Sequence, residues 1–364
     1  SCIPMKKKIL IVTERRADYS KFKPILDEIK KSKSLSYVLI VTGSHLLKKH
    51  GYTINEIKKD GFKISDQFSM YGSNSLNNGA EMVKSFGKSV IKITSLVEKY
   101  NPDIILSGFD IGANLAAAIV GAHMNKVVAH IEGGEVSGTI DESIRHAITK
   151  FAHLHFTTNL IASKRLVKMG ENKKFIFTVG NSSLDSILKI PKVSKKQISA
   201  DYDLKSEQPY IVVTMHTVTS EIKKIQSYMK NVLDAITELN LQAILIRGNA
   251  DAGSNKMLHI IKNSKINEYL SIPFPDYINL LRNSSALVGN SSSGIMEAPF
   301  LRIPSVNIGT RQSGRLRSKS VIDTNYEKLN ITYLSLTTQN LDIVNYYKQF
   351  KPSRIVEVDT PGSK

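Results

Sequence analysis

The chain has 364 residues, 41% of them hydrophobic and 23% charged, with a formal net charge of +18. At ~150 residues per domain this is enough for two packed cores, and no apolar run approaches the ~18 residues of a membrane-spanning helix, which argues against disordered and membrane classes. A single cysteine, Cys2, argues against a disulfide-stapled secreted scaffold and for a reducing compartment.

Met5 to Lys8 carries the charge of a signal-peptide start, but the apolar run at 9–12 is too short for a signal core and reads as the first strand. A cytoplasmic location is expected. Further short, β-branched runs lie at 38–41, 104–106, 127–131 and 155–157, alternating with segments of helical periodicity at 22–31, 81–100, 115–124, 140–152 and 162–169. Strands alternating with helices build parallel βαβ units. Between 188 and 209 the pattern gives way to a polar, lysine-rich stretch bounded by Pro191 and Pro209, read as a linker. The alternation then resumes, with strands at 210–215, 243–246, 287–289 and 305–308 and helices at 222–239, 256–262, 277–282 and 295–300.

The predicted fold is α/β, with two Rossmann-like doubly wound domains facing a cleft where strand C-terminal ends converge. The predicted divisions are an N-terminal domain over 5–188, a linker over 189–209, a nucleotide-binding domain over 210–340 and a segment 341–364 packing back on the first domain. The lysines are dispersed in pairs and triplets without aromatic interleaving or a nucleic-acid motif. The positive charge therefore suits a small polyanionic substrate better than nucleic acid.

Five stretches carry chemistry. Arg15 and Arg16 end the first strand, where guanidinium groups can reach phosphates, while Asp18 reads equally as a helix cap. The run His130 to His146 gathers Glu132, Glu135, Asp141 and Glu142 with tandem glycines and an Arg-His pair. Thr139 with Glu142 matches a capping box, and Asp141 with Arg145 an i,i+4 pair, so part of this run has a purely structural reading. Glu132 follows a strand directly and precedes Gly133-Gly134, where backbone can approach a ligand. Asp110 and His216 also end predicted strands and either face the cleft or serve the fold. Finally, 288–297 reads as strand, small-residue turn and helix start, an anion site formed by backbone N–H groups with Glu297 beside it. No G-x-G-x-x-G, Walker sequence or metal-ligand spacing is present, so neither cofactor nor metal is expected.

These residues resemble the hydrolysing UDP-N-acetylglucosamine 2-epimerases of sialic and legionaminic acid biosynthesis. The matching runs are Arg16-Ala17-Asp18-Tyr19-Ser20, Gly43-Ser44-His45, His130 to His146, Asn249-Ala250-Asp251-Ala252-Gly253, Gly289 to Gly294 and Gly309-Thr310-Arg311-Gln312. The resemblance implies a glycosyltransferase-like (GT-B) architecture, a homodimer or homotetramer, and release of a free ManNAc-type sugar from UDP-GlcNAc through a 2-acetamidoglycal. It implies catalytic roles for Asp110, Glu132, Asp141, Glu142 and His216. Substrate and nucleotide would be held by Arg16, Asp18, Ser20, His45, Arg247, Asn249, Ser291, Ser292, Glu297, Arg311 and Gln312. The chain departs from the family pattern at Ile111, at Arg247-Gly248 and at Thr217. Ile111 stands where relatives carry arginine, so Arg247 is expected to supply the missing cation. A glycosyltransferase of the same architecture and a non-catalytic nucleotide-sugar binder are the alternative readings.

Overall fold

The computed structural model describes residues 6–72, 79–109, 112–218, 223–238, 242–247, 259–261, 264 and 266–327. Two parallel sheets organise them. The first is built from β1 (Lys7–Thr13), β2 (Leu35–Val41), β3 (Ile64–Gln67), β4 (Ile104–Gly108), β5 (Val127–Ile131), β6 (Leu154–Thr157) and β7 (Ile176–Thr178), in the order β3-β2-β1-β4-β5-β6-β7. The second contains β8 (Tyr210–Met215), β9 (Gln242–Arg247), β10 (Asn267–Tyr269), β11 (Ala286–Gly289), β12 (Ser305–Ile308) and β13 (Val321–Thr324), in the order β10-β9-β8-β11-β12-β13.

The central strands are apolar because helices cover both faces: Leu10, Ile11 and Val12 of β1 are fully buried, as are Val212 and Val213 of β8. In the first sheet the order reverses between β1 and β4, and in the second between β8 and β11. Those switch points open the crevices that hold ligands in parallel sheets. Around the first sheet lie α1 (Arg16–Lys31), α2 (Ile54–Lys59), α3 (Gly79–Tyr100), α4 (Gly112–His123), α5 (Ile140–Phe151) and α6 (Leu160–Lys168).

The two-sheet α/β architecture agrees with the sequence reading, and the elements the sequence hid are short. Strands β3, β7, β10 and β13 hold three or four residues each at or near sheet margins and carry polar or exposed positions, so they lack the apolar runs of central strands. Helix α1 begins at Arg16, well before the expected start at 22, because the Asp18 carboxylate accepts from the Glu14 and Arg15 amides and ties off the first turn.

The segment read as a linker, 189–209, contains α8 (Lys195–Asp201). Leu184 and Ile187 of α7 (Ser182–Lys189) join Ile198, Tyr202 and Leu204 in the core beneath the second sheet. Its polar positions face water and hide that apolar stripe. Helix α9 (Ile225–Glu238) lies inside the expected 222–239. Most of the helix expected at 256–262 and all of 341–364 lie outside the described residues.

Candidate active site

The cleft between the two sheets is lined by the strand ends of both. On the first wall, Asp18 is spent on the fold: it accepts from Thr13 Oγ1 (2.7 Å) as well as from the two amides. His45 stands behind it, fully buried, bonded to Thr13 Oγ1 (3.0 Å) and Thr53 Oγ1 (2.7 Å) and 3.9 Å from the Asp18 carboxylate. Asp18 edges the cleft, whereas His45 supports it from within. Arg16 and Ser20 line the cleft. The Arg16 guanidinium lies 5.8 Å over the Tyr277 ring of the opposite domain, and its Nη1 is buried without a hydrogen-bond partner among the described residues. Burial pulls its pKa below the ordinary value, so the site favours an anion beside it.

Glu132 is placed by strain. Its φ of 61° is left-handed, as is the 68° of Phe109, a conformation that typically costs about 1–3 kcal/mol in non-glycine residues and clusters at functional sites. Its Oε2 accepts from Lys21 Nζ at 2.7 Å, and that ammonium sits 4.6 Å over the Phe109 ring. Among the described residues its Oε1 has no hydrogen-bond partner. Lys21 and Phe109 line the cleft, with Glu132 directly behind. Glu297 lines the same space from the other domain; burial raises its pKa, with Lys21 opposing and Glu132 reinforcing the shift. Lys21 is the residue the sequence reading missed. The available signal was three cations, Arg15, Arg16 and Lys21, at the N-terminal end of a helix, against the dipole.

The tandem glycines have a different purpose from the one expected. A Cβ on Gly133 would stand 2.9 Å from His130 Nδ1, and one on Gly134 would stand 2.4 Å from the Ala162 carbonyl oxygen. They let the chain pack against itself. Asp141 reaches the opposite domain, 3.6 Å from Arg311 Nη2, while Arg145 donates to the Glu135 carbonyl at 3.3 Å. The Glu142 carboxylate accepts from the Ser137 amide (2.8 Å) and lies 3.7 Å from His146, so it tethers the loop and is not brought to the cleft lining. Thr139 caps α5 through the Asp141 amide.

On the second wall, Asn290 clamps the backbone of His216 through both ends of its amide (2.7 and 2.8 Å). Arg311 and Gln312 converge on the Asn290 carbonyl at 3.1 and 3.0 Å. Burial, then Arg311, Arg15 and Arg16, hold the His216 pKa well below its ordinary value, so the imidazole is neutral at pH 7. Ser291 and Ser292 line the cleft, but the helix expected at 295–300 is a 3-10 turn, Ser292–Gly294, followed by the four-residue α10 (Glu297–Phe300). Its dipole is too short to matter, and left-handed Arg302 ends it. What the expected anion site retains is the Ser291–Ser293 turn and the Arg311 guanidinium. Arg247, last residue of β9, lines the cleft but is ion-paired through Nε with Glu268. Asp110 and Asn249 lie outside the described residues.

The two walls touch directly. The Gly138 amide donates to the Arg311 carbonyl (3.1 Å), and Arg315 Nε to the Val136 carbonyl (3.2 Å). Among the described residues no cluster of three His, Cys, Asp or Glu side chains is placed to hold a metal ion.

Two Rossmann-like domains turning their strand ends to a shared, cation-lined cleft define a GT-B-like protein. The family profile described as UDP-N-acetylglucosamine 2-epimerase matches residues 27–352, and the chain belongs to that family. It is 35% identical over 350 residues to a hydrolyzing UDP-N,N'-diacetylbacillosamine 2-epimerase of Legionella pneumophila, covering 94% of this chain and 90% of that one. To a UDP-N-acetylglucosamine 2-epimerase of Neisseria meningitidis it is 36% identical over 328 residues, covering 89% and 85%. In fold it is similar to the Methanocaldococcus jannaschii UDP-GlcNAc 2-epimerase solved with UDP-GlcNAc and UDP (TM-score 0.79, 20% identity, 95% and 96% covered).

Proposed function

We propose that the protein is a hydrolysing 2-epimerase that converts a UDP-linked N-acetylhexosamine into the free 2-epimer and UDP. The observation that carries this reading is the buried Lys21–Glu132 pair on one wall of a cleft whose facing wall is built for an anion. The family membership and the hydrolyzing relative support it.

A proton on C2 of the sugar is not α to a carbonyl and cannot be removed by a side chain unaided. Breaking the bond between C1 and the diphosphate oxygen sends its electron pair to the leaving group, and the resulting electron-poor C1 acidifies the neighbouring C–H. A carboxylate takes that proton and a C1–C2 double bond remains. Water then adds through its oxygen to C1, giving up a proton to a carboxylate, while a carboxylic acid delivers a proton to C2 from the opposite face.

Arg16, Arg311 and His216, as an N–H donor, stabilise the departing diphosphate. Lys21 with Glu132, and Asp141 beside Arg311, are the two proton-handling units of the cleft, with Asp110 retained in the set from the sequence. Ser291, Ser292 and Glu297 hold phosphate and ribose. Incubation with UDP-GlcNAc in D2O without acceptor is expected to yield UDP and free ManNAc carrying deuterium at C2. A nucleotide-linked epimer as the product, or retention of the original C2 proton, overturns the reading.

A further inference from the structure

The nucleoside end of the cleft has a polar group that the reaction leaves unused. In the second sheet Gly289, Thr214 and Ile246 stand abreast on β11, β8 and β9, so the Ser291–Ser293 turn and the end of β9 are separated by two strand spacings, about 9.6 Å. A diphosphate at that turn therefore leaves the rest of its nucleotide to run outward over β8. At the outer end, Ile246 and Phe274 supply apolar surface, and Arg247 completes the lining. Among the described residues the partner of the Arg247 guanidinium is Glu268, on neighbouring β10, through Nε. The side chains of both are mostly buried, at 19% and 18% exposure. That ion pair spends the charge locally, so Arg247 is poorly suited to replace a diphosphate-binding cation. It also fixes the plane of the guanidinium, whose amino groups donate and cannot accept.

We infer that Arg247, held by Glu268, reads the nucleobase, selecting one that presents carbonyl oxygen (uracil or guanine) over one that presents an amino group there (cytosine or adenine). The inference rests on the nucleotide-sugar reading of this cleft. Donor-only guanidinium matches carbonyl oxygens and meets the amino groups of cytosine and adenine donor to donor. Glu268 acts only through Arg247 and is a positioning residue.

The test is calorimetric binding of UDP, GDP, CDP and ADP to the full chain. UDP and GDP are expected to bind roughly tenfold or more tightly than CDP and ADP, the scale of one well-oriented base contact. Arg247→Met is expected to bring UDP and CDP within about threefold by weakening UDP, and Glu268→Gln to give an intermediate ratio. Because Arg247→Met strands a mostly buried carboxylate, the double variant Arg247→Met/Glu268→Leu keeps the comparison available, with the same loss of discrimination expected. Equal UDP and CDP affinity in the parent, or a UDP/CDP ratio unchanged in the double variant, overturns the base-reading role while diphosphate binding stands. Failure of all four nucleotides to bind overturns the nucleotide-sugar reading itself, and this inference with it.

Discussion

Replacing Lys21 by methionine preserves the length of the side chain over Phe109 and removes only the ammonium. The Glu132 carboxylate, 4% exposed and paired at 2.7 Å, then stays in the interior without its cation. Removing one partner of a buried pair costs about 3–5 kcal/mol; the 14% exposure of Lys21 argues for the lower end, about 3 kcal/mol at pH 7. Urea unfolding of the parent, Lys21→Met, Glu132→Gln and the double variant at pH 7 measures this, and the cycle should give a coupling of about 2 kcal/mol or more. Each single variant should also lower kcat at least ~100-fold, with the double close to the worse single because the pair acts as a unit. Additive effects of the two substitutions in the double variant would refute the claim that these side chains form one buried unit.

Other positions give independent checks. A Cβ on Gly138 would lie 1.9 Å from the Thr310 carbonyl oxygen of the opposite domain, so Gly138→Ala should hold the walls apart and lower kcat/KM about 100-fold with Tm nearly unchanged; parent-like kcat/KM would show that this contact is dispensable. Burial raises the Glu14 pKa despite donors from Tyr71 and the Ala113 amide. A carboxyl raised on folding adds stability below its unfolded pKa that is lost as pH rises through the folded one, so Glu14→Gln should flatten Tm between about pH 5 and 7, and an unchanged slope would count against it. His216, held neutral by burial and its arginine neighbours, should gain a proton when a diphosphate arrives. UDP binding measured calorimetrically in buffers of differing ionisation heat should show net proton uptake near pH 6.5, removed by His216→Asn.

Much of the architecture was legible in the order of residues. Central strands bury both faces, so runs such as Ile9 to Val12 and Ile211 to Val213 are apolar throughout and announce themselves. Strand ends, too, follow from the alternation, which is why Arg16, Glu132 and His216 could be singled out. Helix α8 was hidden because it shows only Ile198 and Ser199 to the interior among seven residues. What no linear pattern contains is which strand ends meet. Lys21 finds Glu132 across 111 positions only because β1 and β5 flank β4 in the sheet order, and Asp141 meets Arg311, and Gly138 the Thr310 carbonyl, only because the two domains close on each other. The same holds for the assignments that changed meaning: Glu142 became a loop tether, Arg247 a partner of Glu268, and the tandem glycines a packing contact. Periodicity and turn chemistry act over a few residues and so survive in sequence. The electrostatic partner of a buried charge is set by burial and by neighbours brought in from remote parts of the chain, and that is decided only when the sheets have assembled.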